Sequence, residues 1–202
     1  MATMDRRQLL QALASAPLAA AAMTWTDTQA LAARQAATTA RQAAQRTGTR
    51  YAPKFFTAAE WTTVNVLANL VIPRDDRSGS ASDAGVPEFM DFMMVDQPAR
   101  QTAMRGGLAW LDHECQVRFD KVFSVCADAE RHAVLDDISW PRRAKPEMAY
   151  GVSFFNSFRD LTASGFFSSK IGMEDLQYIG NTVVVDWTGC PPEVLKKLGI
   201  TS

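Results

Sequence analysis

The side chains able to do chemistry in this chain are few, and they do not gather. Two histidines, His113 and His132, each have carboxylates close in sequence, Asp112 and Glu114 beside the first, Glu130 and Asp136 near the second. An imidazole with a carboxylate partner can act as a general base or a metal ligand. A metal centre needs several ligands converging, with outer hydrogen bonds to orient them. These two histidines fall on separate predicted helices, and solvated positions on charged faces account for them. The loop Asp75-Asp76-Arg77-Ser78-Gly79-Ser80-Ala81-Ser82-Asp83 offers the oxygen donors that calcium takes. Its glycine is misplaced and the closing glutamate is absent, so it departs from the calcium-loop pattern and reads as a flexible polar loop. There is no Gly-x-Ser-x-Gly elbow, dinucleotide glycine fingerprint, phosphate loop, Cys-x-x-Cys-His or paired Cys-x-x-Cys. The expectation is a chain with no catalytic residue, cofactor or metal of its own.

The three cysteines, Cys115, Cys126 and Cys190, carry more information because the number is odd. Cys115 and Cys126 are eleven residues apart, about 16 Å along a continuous helix at 1.5 Å per residue. They cannot bridge without a chain reversal, and both sit among apolar neighbours, so buried free thiols are expected. Cys190 lies in Trp187-Thr188-Gly189-Cys190-Pro191-Pro192, a turn-forming context that presents a thiol near the surface. It is the candidate for a disulfide to another chain; the ordinary alternative is a structural thiol under the loop.

Any such group must be carried by a core, and the composition supplies one. The chain has 202 residues, 47% hydrophobic and 21% charged, with 11 Phe and 5 Trp, enough for one domain and too aromatic for disorder. A net charge of -1 gives no reason to bind nucleic acid. Thr57-Ala58-Ala59-Glu60 is a capping box, and Trp61, Val64, Leu67, Ala68 and Val71 follow at helical steps until Ile72-Pro73. Val86-Pro87-Glu88 restarts a helix with Phe89, Met90 and Met93 on its apolar side. A third runs from Arg100 to Val117 with Met104, Leu108, Leu111 and Cys115 in one stripe, and a fourth from Cys126 to Ile138. After the basic loop from Trp140 to Pro146, a helix over 148–162 faces Val152, Phe155, Phe158 and Leu161 or Thr162 inward and stops where Gly165 can take a positive φ. Short helices over 173–179 and 192–198 complete the pattern, with Thr182 to Asp186 as the one short extended piece.

The N-terminal part is different in kind. Residues 1–54 hold seven basic and two acidic side chains, net +5, and the rest is net -6. Arg6 and Arg7 stand immediately before Leu9 and Leu10 and a modestly apolar, alanine-rich run to Met23. This has the form of a twin-arginine export signal. The run is too short and polar for a membrane span, which needs about 20 strongly apolar residues. Small-residue cleavage sites occur at both Ala19 to Ala22 and Ala30 to Ala32. Twin-arginine export carries folded proteins, often with a cofactor or partner. With no cofactor motif of its own, the chain is expected to serve a partner that has one. Residues 24–50, rich in Ala, Gln, Thr and Arg, are helix-prone but short of large apolar residues; they read as a solvated tether or an arm that orders on a partner. The expected organisation is a signal region at 1–30, a low-complexity tether at 31–53 and a compact, all-α, multi-helix domain at 54–202.

An ordered set of short motifs adds a resemblance. Ile72-Pro73-Arg74-Asp75, Ala84-Gly85-Val86-Pro87-Glu88-Phe89-Met90-Asp91, Phe154-Phe155 with Leu161-Thr162, Gly165-Phe166-Phe167-Ser168-Ser169 and Gly172 resemble the gluconate 2-dehydrogenase subunit 3 family. Leu176, Tyr178, Gly180, Trp187, Gly189 and Cys190 continue the match, which covers about residues 54 to 195. The resemblance implies a small helical subunit of a periplasmic dehydrogenase that meets the membrane through its complex only. Its large partner would be an FAD flavoprotein of the glucose-methanol-choline class, with an iron–sulfur cluster in some members. Electrons would pass to a cytochrome c subunit or another acceptor, and the small subunit would carry the export signal for both chains. The long Ala/Gln/Arg tether departs from the family and leaves the fate of the signal open, and the sugar does not carry over.

Such a chain must bury a large surface on its partner. Phe55, Phe56, Phe89, Phe92, Phe154, Phe166 and Phe167 exceed what one small helical core needs, and aromatics are enriched at interfaces. Phe89, Phe154, Phe166, Phe167 and Trp187 are the interface candidates, with Gly165-Phe166-Phe167 the favoured segment; each Phe taken singly is more readily a core residue, and the expectation concerns the excess. The competing readings are a free-standing periplasmic binding or structural protein, and an enzyme built on His113 or His132.

Overall fold

The computed structural model describes residues 27–46, 51–178, 180 and 189–200. Arg6, Arg7, Leu9 and Leu10, the piece over 182–186, and Trp187 lie outside them. The described residues form eight α-helices and no strand: α1 Asp27–Arg46, α2 Ala58–Val71, α3 Val86–Asp96, α4 Gln101–Phe119, α5 Asp128–Ser139, α6 Ala149–Phe167, α7 Lys170–Asp175 and α8 Pro192–Lys197.

Local chemistry sets most of these boundaries. The Thr57 hydroxyl accepts from the Glu60 N–H at 3.3 Å while the Glu60 carboxylate accepts from the Thr57 N–H at 2.8 Å, which starts α2 with a complete capping box. Pro73 then forbids its continuation. Gly85, at φ 76°, makes the turn into α3, and Pro87 sits in the first helical turn. The chain leaves α4 through Asp120 in a left-handed conformation (φ 55°) and reverses through a 3₁₀ turn at Phe123–Val125 into α5.

Helix α6 is the axis of the fold, touching α1 through α5 and α7. It buries Phe154, Phe155, Phe158, Leu161, Thr162 and Phe166. Its length corrects one expectation: Gly165 does not end the helix but lies inside it. A Cβ there would sit 2.8 Å from Cδ1 of Phe89, so the missing side chain serves the approach of α3 rather than a positive φ. Two further glycines lock α4 to α6. A Cβ on Gly107 would lie 1.8 Å from Cδ2 of Phe154, and one on Gly151 would lie 2.2 Å from Cη2 of Trp110. Each helix therefore gives up a side chain where the other inserts a ring. Phe89, Phe123, Phe158 and Phe166 are fully buried in the common core, each stabilising the fold by roughly 1.5–3 kcal/mol.

The helix-prone N-terminal stretch is helical, but it is not simply solvated. Ala33 and Ala37 of α1 are buried, and α1 packs chiefly on α3. Alanine succeeds where larger residues are missing because it lets the two backbones come close. Arg41 then donates to the Asp83 carbonyl at 2.9 Å and lies 3.9 Å from the Glu88 carboxylate.

Candidate functional site

The residues around α3 build a hub that the sequence pattern did not disclose. Asp91 is fully buried. Its Oδ1 accepts from the Phe55 and Phe56 N–H groups at 2.9 and 3.1 Å, and its Oδ2 from the Lys54 N–H at 2.8 Å and the Tyr51 hydroxyl at 2.9 Å. Four donors on one carboxyl fix the segment that leads into α2. Burial and then the Asp91 charge push the Tyr51 phenol above its ordinary value. From α4, Arg105 closes the same segment, donating to the Phe55 carbonyl at 2.7 Å and to Glu60 at 3.0 Å with its guanidinium 4.4 Å from the Phe55 ring centre. The signal for Asp91 was a lone acid inside the apolar run Phe89-Met90-Asp91-Phe92-Met93.

The acidic loop is likewise structural, and it is held in place rather than flexible. Asp75 accepts from the Arg77 and Ser78 N–H groups at 2.9 and 2.8 Å, and these bonds hold its carboxyl below the usual range. Asp83 accepts from the Ser80 hydroxyl and N–H, both at 2.7 Å, and from Arg74 at 2.7 Å. The Ser80 hydroxyl is the main cause of its lowered pKa. Arg77 reaches across to the Asp175 carboxylate at 3.0 Å, tying the loop to α7. His113 and His132 are both exposed, on α4 and α5. No three His, Cys, Asp or Glu side chains among the described residues are placed to hold a metal ion, and no described helix is long and apolar enough to cross a membrane.

The expected interface residues separate sharply. Phe89, Phe154 and Phe166 are buried in the chain's own core, which corrects their assignment as contact residues: Phe89 fills the space left by Gly165, and Phe154 the space left by Gly107. Phe167 is different. It is 40% exposed at the end of α6 and stands edge-on to Phe166, with ring centres 5.2 Å apart. Further along the chain Met173 is 40%, Leu176 58% and Tyr178 64% exposed, among the exposed polar residues Lys170, Glu174 and Gln177. Met173 and Tyr178 share a shallow hollow with Lys170, Glu174 and Gln177. Val194, Leu198 and Ile200 are exposed further along, and so is Cys190. Large apolar side chains with a charged rim are the composition of a protein contact surface rather than of a reaction centre.

Residues 58–186, well over half of the chain, match the family model described as gluconate 2-dehydrogenase subunit 3. The chain belongs to this family. The match runs from the first turn of α2 past Tyr178, so it contains Asp91, though not the 51–56 segment that donates to it, the α4–α6 lock and the exposed apolar side chains between Phe167 and Tyr178. No curated protein and no solved structure matches the chain. The family is one of dehydrogenase subunits, and membership makes this helical domain an accessory subunit of a dehydrogenase assembly.

Proposed function

We propose that the chain is the non-catalytic small subunit of a periplasmic, FAD-dependent sugar or glycoside dehydrogenase. In this reading it braces a flavoprotein large subunit of the glucose-methanol-choline class and supplies, through Arg6, Arg7, Leu9 and Leu10, the twin-arginine signal that takes both folded chains across the membrane. The observation that carries the reading is the exposed apolar face at Phe167, Met173, Leu176 and Tyr178 on a chain of the subunit 3 family. Four large apolar side chains left uncovered within twelve residues of chain suit a surface that a partner covers. The exposed thiol of Cys190 lies beyond the same face in the chain and is the candidate for the bond between subunits. FAD, an iron–sulfur cluster where the electron path uses one, and a cytochrome c acceptor belong to the partners, and the membrane is met through the complex only.

The test is to tag the chain at its C terminus, purify it from its native periplasm, and record the flavin absorption spectrum beside a non-reducing gel. The expected result is a copurifying flavoprotein, with a joint band that collapses on reduction and is absent from Cys190→Ser. A colourless, lone chain would overturn the reading. Replacing Arg6 and Arg7 by lysine should leave both chains in the cytoplasm.

A further inference from the structure

The hollow between α1, the start of α3 and α7 gathers more positive charge than its own carboxylates balance. It holds about 220 Å³, room for a small ion with its waters and below the roughly 300–1,000 Å³ of sites for drug-sized ligands. Its charged walls are Arg34 and Arg41 from α1, Lys170 from α7 and Asp83 from the turn before α3. The two arginines converge on one point: a Cβ built on Gly85 would lie 2.9 Å from Nη1 of Arg41 and 3.7 Å from Nη1 of Arg34. The carboxylates nearby are largely engaged. Asp83 is taken by Arg74 and by the Ser80 hydroxyl and N–H, each at 2.7 Å. Glu88 lies 3.9 Å from Arg41, and among the described residues no carboxylate forms an ion pair with Arg34. Burial and then the Arg41 charge push the Arg34 guanidinium below its ordinary value, against the pull of Glu88. Lys170 is 87% exposed, and its pair with Glu174 is long, 3.7 Å, so it holds Lys170 only weakly. Two guanidinium groups drawn together and partly out of water are costly unless an anion joins them. The backbone adds little here, since the Val86 N–H donates to the Ala81 carbonyl at 3.0 Å and Pro87 has none.

We propose that this hollow binds a small oxyanion, a carboxylate or a phosphate group, between the guanidinium groups of Arg34 and Arg41, with Lys170 at its rim. A guanidinium presents several N–H donors in a planar fork that matches two oxygens of such a group, and hydrogen bonds between opposite charges are the strong ones. Thr38 and Gln42, which line the same hollow, offer neutral donors beside them. The anion would bond to α1 on one side and face the Gly85 turn and α7 on the other. It therefore ties α1, whose buried side chains are the small Ala33 and Ala37, to the helical domain. Arg41 is held without it, through the Asp83 carbonyl at 2.9 Å; Arg34 is the residue whose position the anion explains. The site requires neither a flavoprotein partner nor export.

The test uses the full chain in sodium chloride, with sodium phosphate or sodium acetate exchanged in at matched ionic strength. Calorimetry should find one phosphate or one acetate bound per chain, with a saturable rise in melting temperature and slower hydrogen exchange in α1 than in chloride. Arg34→Met keeps a long side chain and a high helix propensity. In chloride this variant should melt no lower than the parent, because it removes a repulsion, while its affinity for the anion falls at least about tenfold. Arg159→Ala, which removes an exposed arginine paired with Asp160, should bind as the parent does. If neither phosphate nor acetate does more than chloride, or if Arg34→Met binds as tightly as the parent, the proposal fails. It fails equally if Arg34→Met lowers the melting temperature by the same amount with and without phosphate, since Arg34 would then serve the fold alone. None of these readouts involves the flavoprotein, so the accessory-subunit reading stands or falls separately.

Discussion

At the α4–α6 contact, Phe154 lies where Gly107 has no side chain and Trp110 where Gly151 has none. From Phe167 to Tyr178 the residue types are the same, yet Phe167, Met173, Leu176 and Tyr178 stand exposed. The difference lies in what faces them. Inside, Phe89, Phe154 and Trp110 each meet a matching vacancy on the neighbouring helix, so their burial and shape fit are satisfied within the chain. At the outer face no described helix offers such a vacancy. An excess of aromatics alone does not mark an interface; it marks one only where the chain's own glycines have not already made room.

The strongest way to break the inner region is through Asp91. Asp91→Ala would leave the Tyr51 hydroxyl and three N–H groups without their acceptor in a buried site, and should cost about 3–5 kcal/mol of stability in urea unfolding. Asp91→Asn sets an amide N–H₂ against donors and should cost less than the alanine but more than about 1 kcal/mol. If both variants unfold with the parent, the hub does not hold the segment before α2.

Gly107→Ala is the next test of the inner region. Its Cβ would have to displace a ring at 1.8 Å, an overpacking expected to cost about 1–3 kcal/mol. Adding Phe154→Leu should restore part of that loss, since a smaller side chain relieves the collision. A double variant as unstable as the sum of its parts would mean that the two residues are not coupled.

These particular residues also show what was legible in the sequence. The helices of 58–139 were readable because capping, proline placement and apolar spacing all act locally; Thr57 with Glu60 and the stripe from Met104 to Cys115 are examples. The end of α6 was not, because Gly165 is compatible with a helix stop and with a close approach, and only Phe89 across the core decides between them. The burial of Ala33 and Ala37 was not legible for a similar reason: small residues look solvated until a partner helix is in place. The site was less legible than the fold. An excess of Phe did not say which of them face outward, so Phe89, Phe154 and Phe166 stood among the interface candidates while the exposed Met173 and Leu176 did not, since exposure depends on what lies opposite.

Alkaline pH should weaken the inner region through Cys115. Its thiol is raised to about 12 in the folded, reduced chain, against about 8.5 in an unfolded one. Between those values the unfolded chain has lost a proton that the folded chain keeps, so stability is fully present below about pH 8.5 and falls as pH rises through that window. Tyr51, also raised, adds a loss of the same sign above about pH 10. Cys115→Ala should therefore show a shallower decline of stability from pH 9 to 11 than the reduced parent. An unchanged slope in this variant would place the alkaline sensitivity elsewhere.

The outer face should give the smallest effect on stability. Leu176→Ser and Tyr178→Ser remove side chains that are more than half exposed, and substitutions at such positions usually stay within about 0.5 kcal/mol. Their melting should match the parent's while copurification of the flavoprotein is lost, because in an interface the same side chains are covered by the partner and anchor it. Lys170→Ala, at the polar rim of the hollow, is the control that should weaken copurification least. Should the two serine variants keep their partner, the docking surface would lie on another face. A drop in stability like that of Gly107→Ala would instead mean that residues 167–178 belong to the core after all. Unchanged folding with lost association is the one combination that separates a surface held open for a partner from one that is merely uncovered.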